Sequence, residues 1–315
     1  MTDTLGSLSQ EAKAFYDKNL LERALPILGL AKGGQARSLP ANSGNQISYR
    51  RFNQLSTATT ALTESVTPTA AALSVTEITG TVQQYGNYVQ ISDAIDMLAI
   101  DPVVAEATDV LGENAGQSIE EIIRAELVSG TSVIYPGSVV SRATVAAANV
   151  MTLAQIRKAV RTLMTNDAQP FYGDRDETGQ GGLYFGYVHP RVWFDITGDT
   201  TVLNTFTYSD PEKLYTMKLP NLAQVAWIIS TKAPVFTGAG ASGADVYGTF
   251  IFGKDAFGVV NVGGTGKFQT IVKPLGSAGS ADPLEQRATV GWKAFQLPKI
   301  LNNNFMVRLE SAVSA

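Results

Sequence analysis

The strongest hydrophobic periodicity lies in residues 101–130, DPVVAEATDVLGENAGQSIEEIIRAELVSG. Val103, Ala107, Val110, Leu111, Ala115, Ile119, Ile122, Ile123 and Leu127 recur at steps of three and four, which makes one apolar stripe on a helix. Asp101 is placed to cap the first free N–H groups, Pro102 sits where its missing N–H does no harm, and Gly130 supplies a left-handed stop. At about 1.5 Å per residue such a helix is roughly 40–45 Å long. It reads either as an ordinary amphipathic core helix or as a spine joining two parts of an elongated subunit. Gly112 and Gly116 lie on one side of it and weaken it unless another backbone passes close by.

Around this helix the pattern changes several times. Ser9 is placed to cap a helix through Leu25, with Ala12, Phe15, Leu20 and Leu21 as its apolar positions. Pro26 ends it and Gly33-Gly34 marks a loose segment. From Gln46 the period becomes two, with Ile47 and Tyr49 on one side of a strand. A second strand follows, in which Ile78, Gly80 and Val82 share a face while Tyr85, Val89 and Ile91 take the opposite parity. A β-bulge at residues 83–85 would produce that flip. Between the strands lies STATTALTESVTPTAAALSV, too long for a tight turn and too apolar for a solvated linker. Two strands alone are not stable in water, so this arm folds back on its own core or lies on another chain.

Beyond the long helix, residues 132–145 read as weakly β. Thr152 and Gln155 form a capping box ahead of a helix whose buried stripe is Leu153, Ile156, Val160, Leu163 and Met164. LYFGYVHP, VAWIIST and DVYGTFIFGKDAFGVVNV are strands rich in β-branched and aromatic residues. Short helices start at Pro190 and at Asp210-Pro211, and the chain ends in a strand with Phe305, Val307 and Leu309 on one face. Helices and strands mix without regular βαβ alternation, so the fold class is α+β.

Composition sharpens this picture. Among 315 residues 44% are hydrophobic but only 17% are charged, which points to surface that faces protein rather than water. A net charge of −4 gives no basic footprint for tight nucleic-acid binding. No cysteine is present, so disulfides and thiolate metal sites are excluded. The first residues carry no signal pattern and no run reaches the length of a membrane span, so a soluble protein made in a cytoplasm is expected.

The apparent chemical motifs do not hold together. GAGASG at 238–243 has the letters of a dinucleotide fingerprint, but a strand follows it where a helix N-terminus is needed. GGTGK ending at Lys267 lacks the following Ser or Thr of a phosphate loop. DRDETG at 174–179 opens like a calcium loop, yet its twelfth position is Phe185 rather than a bidentate carboxylate. His189, the only histidine, has no partners for a zinc site or a triad. No catalytic, cofactor or metal site is expected, and the chain does not read as an enzyme.

The order of segments, with TES at 63–65, QYGNYVQISD at 84–93, the His189-Pro190 pair, FGKDAFGVV at 252–260 and DPLEQRATVGWKAFQLPKILNNNFMVRLE at 282–310, resembles the major capsid proteins of tailed bacteriophages. These have the Hong Kong 97 fold, and the resemblance is strongest to the family typified by coliphage N-four. It implies an N-terminal arm at 1–43, an extended E-loop hairpin at 44–93, and a peripheral domain at 94–150 with spine helix 101–130. An axial domain at 151–276 and a return to the peripheral domain at 277–315 complete the subunit. The implied function is a coat protein that assembles through hexamers and pentamers into an icosahedral shell around a genome. Its partners would be copies of itself, a portal, scaffold or decoration proteins, and DNA touched weakly, with no membrane. Leu62, Val66, Leu73 and Val75 are the expected E-loop contacts to a neighbour. Val103, Ala107, Leu111, Ile119 and Ile123 are the expected spine-helix core. Tyr85, Gly112 and Gly116 are the candidate hinges of an expanding shell. An encapsulin-like compartment, a nucleotide-binding enzyme, and an adhesin or tail-tube protein are the competing readings.

Overall fold

The computed structural model describes residues 16, 18, 20–24, 28–40, 44–53, 55–98, 103–174, 181–209, 221–262, 268–277 and 282–314. The first half of the chain contains β1 (Gln35–Leu39), β2 (Gln46–Phe52), β3 (Val75–Thr81), β4 (Gln83–Ser92), α1 (Asp93–Leu98), α2 (Val103–Val128), β5 (Val133–Ile134) and α3 (Leu153–Thr165). There follow β6 (Tyr184–Val188), α4 (Pro190–Gly198), α5 (Thr200–Ser209), β7 (Asn221–Leu222), β8 (Val225–Ile229) and β9 (Val235–Phe236). β10 (Val246–Phe252), β11 (Phe257–Val262), β12 (Gln269–Lys273), β13 (Arg287–Ile300) and β14 (Met306–Ser311) complete the chain.

The 26-residue helix α2 packs on a five-stranded sheet whose hub is β13. β4 runs along one side of β13 while β12 and β11 share the other, and β1 adds to β11 in parallel. Val290, Trp292 and Ala294 alternate towards the helix and meet Leu111, Ala115, Ile119 and Ile123. Each large apolar side chain fully buried this way contributes about 1.5–3 kcal/mol. Trp292 Nε1 donates to Asn114 Oδ1 at 3.1 Å, which satisfies the one polar atom of the ring.

The second sheet runs β5-β14-β10-β6-β8-β7, with β9 also on β10. β6, β10 and β14 are buried on both faces, which is why they read as unbroken apolar runs. Phe185, Tyr187, Phe250 and Phe252 face the core under α2. Tyr184, Val188, Tyr247, Ile251, Val307 and Leu309 face a second core under α3 and α4. At the start of α3, Gln155 Oε1 accepts the Thr152 N–H at 2.6 Å, and the expected capping box is present.

Several sequence expectations are corrected. The parity flip is not a bulge at Tyr85: β4 pairs one for one with β13, from Gln83 opposite Gln296 to Ser92 opposite Arg287. The break falls at Val82, where the chain leaves the two-stranded β2–β3 ladder and enters the main sheet. Val110 is 64% exposed rather than part of the buried stripe. Gly130 does not take the left-handed conformation. Its missing Cβ instead makes room for Met306, and the orphan carbonyls of Val128 and Gly130 accept from Arg308 Nη1, the latter at 3.1 Å. Only Val133–Ile134 is strand within 132–145. Both sheets draw strands from either side of residue 276: β11 and β12 pair with β13, and β10 pairs with β14. The caps at Ser9, Asp101 and Pro102 and the helix start at Asp210-Pro211 lie outside the described residues.

Candidate intersubunit interface

The hairpin formed by β2 and β3 is held at its root and bare at its tip. At the root, Ile47, Tyr49, Ile78 and Val82 pack with Leu39, Val260, Leu297 and Leu301 of the main sheet. Gly80 leaves room there for Leu297, whose side chain a Cβ would approach to 2.7 Å. The β2–β3 ladder ends in a polar clamp: Asn53 N–H donates to the Ser74 carbonyl at 2.9 Å, and Thr76 Oγ1 donates to Asn53 Oδ1 at 3.0 Å. Beyond this clamp every described residue through Val75 is exposed.

The exposed stretch contains all four expected contact residues. Leu62 is 78% exposed and Leu73 62%, with Val66 and Val75 also exposed. Phe52 and Leu55, which the sequence reading passed over, extend the same apolar surface. Alternation in β2 would have flagged Phe52, since it follows two arginines with no core partner in register. Water disfavours so many uncovered aliphatic groups on one arm.

The helix side chains fall into two groups. Leu111, Ile119 and Ile123 are buried, while Val103 and Ala107 are half-buried against the same core. Gly112 and Gly116 are both buried, and a Cβ on Gly112 would sit 2.7 Å from the Leu20 carbonyl oxygen. The backbone of the N-terminal segment therefore passes directly over Gly112. A second tether lies about two turns further on. Glu120, fully buried, accepts the Leu30 N–H at 2.9 Å and faces the N–H groups of Gly29 and Ala31. Burial raises its pKa, and those hydrogen bonds together with Tyr187 oppose the rise only in part. A carboxylate on the apolar stripe, at the helical step from Gly116, was the signal in the sequence.

The 238–243 loop and His189 have local roles in the backbone. The 238–243 loop holds a single 3-10 turn, Ala241–Gly243, and leads into β10. His189 caps α4, its Nδ1 accepting the Arg191 N–H at 3.2 Å. Burial and the charge of Arg191 lower its pKa. Among the described residues no cluster of three or more His, Asp or Glu is placed to hold a metal. No described helix is long and apolar enough to cross a membrane. Most of the 174–179 loop and residues 263–267 lie outside the described residues.

Comparison with known proteins decides the family. The family model described as phage capsid protein matches residues 75–301, nearly three quarters of the chain. The chain belongs to the phage capsid protein family. The fold of this capsid protein matches the capsid of Ralstonia phage GP4 with a TM-score of 0.70 at 13% identity, covering 90% of this chain and 87% of that one. The cyanophage Pam1 capsid matches at 0.68 and 16% identity over 99% and 96%. A virus-like particle from Pyrococcus furiosus matches more weakly, at 0.53 and 12% identity over 95% and 99%. No curated protein sequence matches. The fold is thus the α+β Hong Kong 97 capsid fold, and the chain is a structural protein of the virion shell.

Proposed function

We propose that this capsid protein closes into an icosahedral shell through hexamers and pentamers, with its E-loop laid on the adjacent subunit. One observation carries the reading: an arm anchored at its root presents a nearly uncharged, apolar tip that its own chain leaves exposed. Leu62, Val66, Leu73 and Val75 are the contacts assigned to that docking. Interfaces of this obligate kind bury on the order of 2,000 Å² or more. Each one is modest in strength, and several per subunit accumulate into a stable shell.

In this reading residues 1–43 are the N-terminal arm and 44–93 the E-loop, of which residues 46–81 project and β4 is its seat in the main sheet. Residues 94–150 and 277–315 form the peripheral domain and 151–276 the axial domain. The shell encloses a phage genome, is assembled in the bacterial cytoplasm, and works with a portal and with scaffold or decoration proteins. Its sequence phrases resemble those of the capsids typified by coliphage N-four.

An encapsulin-like compartment is the second reading, kept because the fold also matches a virus-like particle from Pyrococcus furiosus. Expression of the protein followed by electron microscopy and analysis of particle contents separates the two. Closed shells that protect DNA made in the presence of a packaging machinery support the capsid. Shells filled instead with one cargo enzyme support the compartment.

A further inference from the structure

The exposed tip of the E-loop is almost devoid of charge, and its one exception is informative. Between Phe52 and Val75 the only ionisable side chain is Glu64. It sits in a tight turn in which the Val66 N–H donates to the Thr63 carbonyl at 3.2 Å and Ser65 takes a left-handed conformation at φ 63°. Leu62 and Val66 flank it and are exposed. The tip thus carries one carboxylate between two aliphatic groups.

A matching cavity lies at the root of the same hairpin. It measures about 240 Å³ and is bordered by Arg37, Arg50 and Arg51, with Tyr49, Ile78 and Asp255. Arg37 lies over the Tyr49 ring at 4.9 Å and makes no ion pair among the described residues. Arg51 likewise has no carboxylate partner there, whereas Arg50 is 3.9 Å from Glu77. Three guanidiniums therefore face one lining carboxylate, Asp255, with Glu77 engaging Arg50 from the side. Leu301 and Phe305 add apolar surface next to the cations. Positive charge beside aliphatic and aromatic wall is the complement of a carboxylate between Leu62 and Val66.

The tip and the cavity are at opposite ends of one extended arm, and the tip is uncovered in the single chain. We propose that Glu64 of one copy enters the arginine cavity of a neighbouring copy, pairing with Arg37 and Arg51. The inference rests on the E-loop docking proposed above and adds its acceptor. Such a contact is head to tail, and repetition around a rotation axis closes a ring. A nucleic-acid phosphate is the other anion such a cavity attracts. A second copy is favoured because the chain itself supplies a carboxylate with matching apolar neighbours, whereas its overall charge is −4.

The full-length chain is tested by charge exchange and by cross-linking. Glu64→Lys alone and Arg37→Glu with Arg51→Glu are each expected to lower particle yield about tenfold, since the loss repeats at every interface. Combining them restores assembly. Because the chain contains no cysteine, Glu64→Cys with Arg51→Cys reports the contact directly and without background. Oxidised particles should give a ladder of covalently linked subunits under denaturing electrophoresis. Wild-type yield from Glu64→Lys, no recovery in the combined variant, or no intermolecular link in assembled particles overturns the proposal. So do arginine variants whose only defect is lost nucleic-acid retention. If Leu73→Asp blocks assembly while no Glu64–Arg51 link forms, E-loop docking stands and this acceptor falls.

Discussion

Glu310 of the last strand accepts two hydrogen bonds from Arg142, at 2.9 Å and 2.6 Å, although 168 residues separate them. The same carboxylate accepts from Arg308 Nε at 2.7 Å, and Arg308 in turn closes the C-terminal end of α2. Glu310 is fully buried and Arg308 nearly so. The second sheet is thereby tied to the end of the spine helix.

Breaking this network leaves an uncompensated buried charge. Glu310→Gln should lower the unfolding free energy by about 3–5 kcal/mol, measured by urea denaturation of unassembled subunits. Burial opposes ionisation of Glu310, but hydrogen bonds from Arg142 and the charges of Arg308 and Arg142 hold its pKa below the ordinary range. Its contribution is therefore complete above the unfolded value, about 4.3, and is lost as pH falls through the lowered folded value. A wild-type melting temperature insensitive to acidification from neutral to pH near 3 would contradict this.

Glu120 has the opposite sign. Its folded pKa is raised, so burying its charge lowers stability as pH rises through that value, and protonation relieves the strain on acidification. Relative to Glu120→Gln, wild type should gain thermal stability as pH falls towards about 4.3. Glu120→Ala should cost about 1–3 kcal/mol, because the N–H of Leu30 loses its buried partner. A wild-type-minus-Gln difference that stays flat with pH removes the assignment.

Gly112 is a contact residue. In Gly112→Ala the new Cβ lies against the Leu20 carbonyl, so the N-terminal segment must move, at about 1–3 kcal/mol. Limited proteolysis should show earlier cleavage in residues 1–34 than in wild type. We propose Gly116 as the bend point of the helix in an expanding shell, and the stretch from Val82 to Tyr85, where the chain changes sheets, as the hairpin's pivot. Gly116→Ala shells that expand at the wild-type rate would exclude that hinge.

The long helix, the hairpin and its bare tip were legible because each rests on local periodicity and on charge that is plainly absent. What the sequence concealed depends on distant partners. Gly130 looked like a helix stop, but its small size serves Met306, which no local pattern reveals. The flip between Val82 and Tyr85 was visible as parity, but not that the chain changes sheets there. Arg308 and Glu310 alternate with Val307 and Leu309 as if facing solvent, yet the strand is covered on both sides. Val110 looked buried by spacing and lies just off the packed face.

E-loop docking is tested most directly by the assembly state of Leu73→Asp beside wild type, read by sedimentation velocity and electron microscopy. The expected result is closed shells for wild type, and a folded, soluble variant of unchanged melting temperature that stays as small species. Shells in normal yield from Leu73→Asp, or a wild-type chain that persists as a compact monomer with its hairpin against its own body, would contradict the shell-building role of the arm.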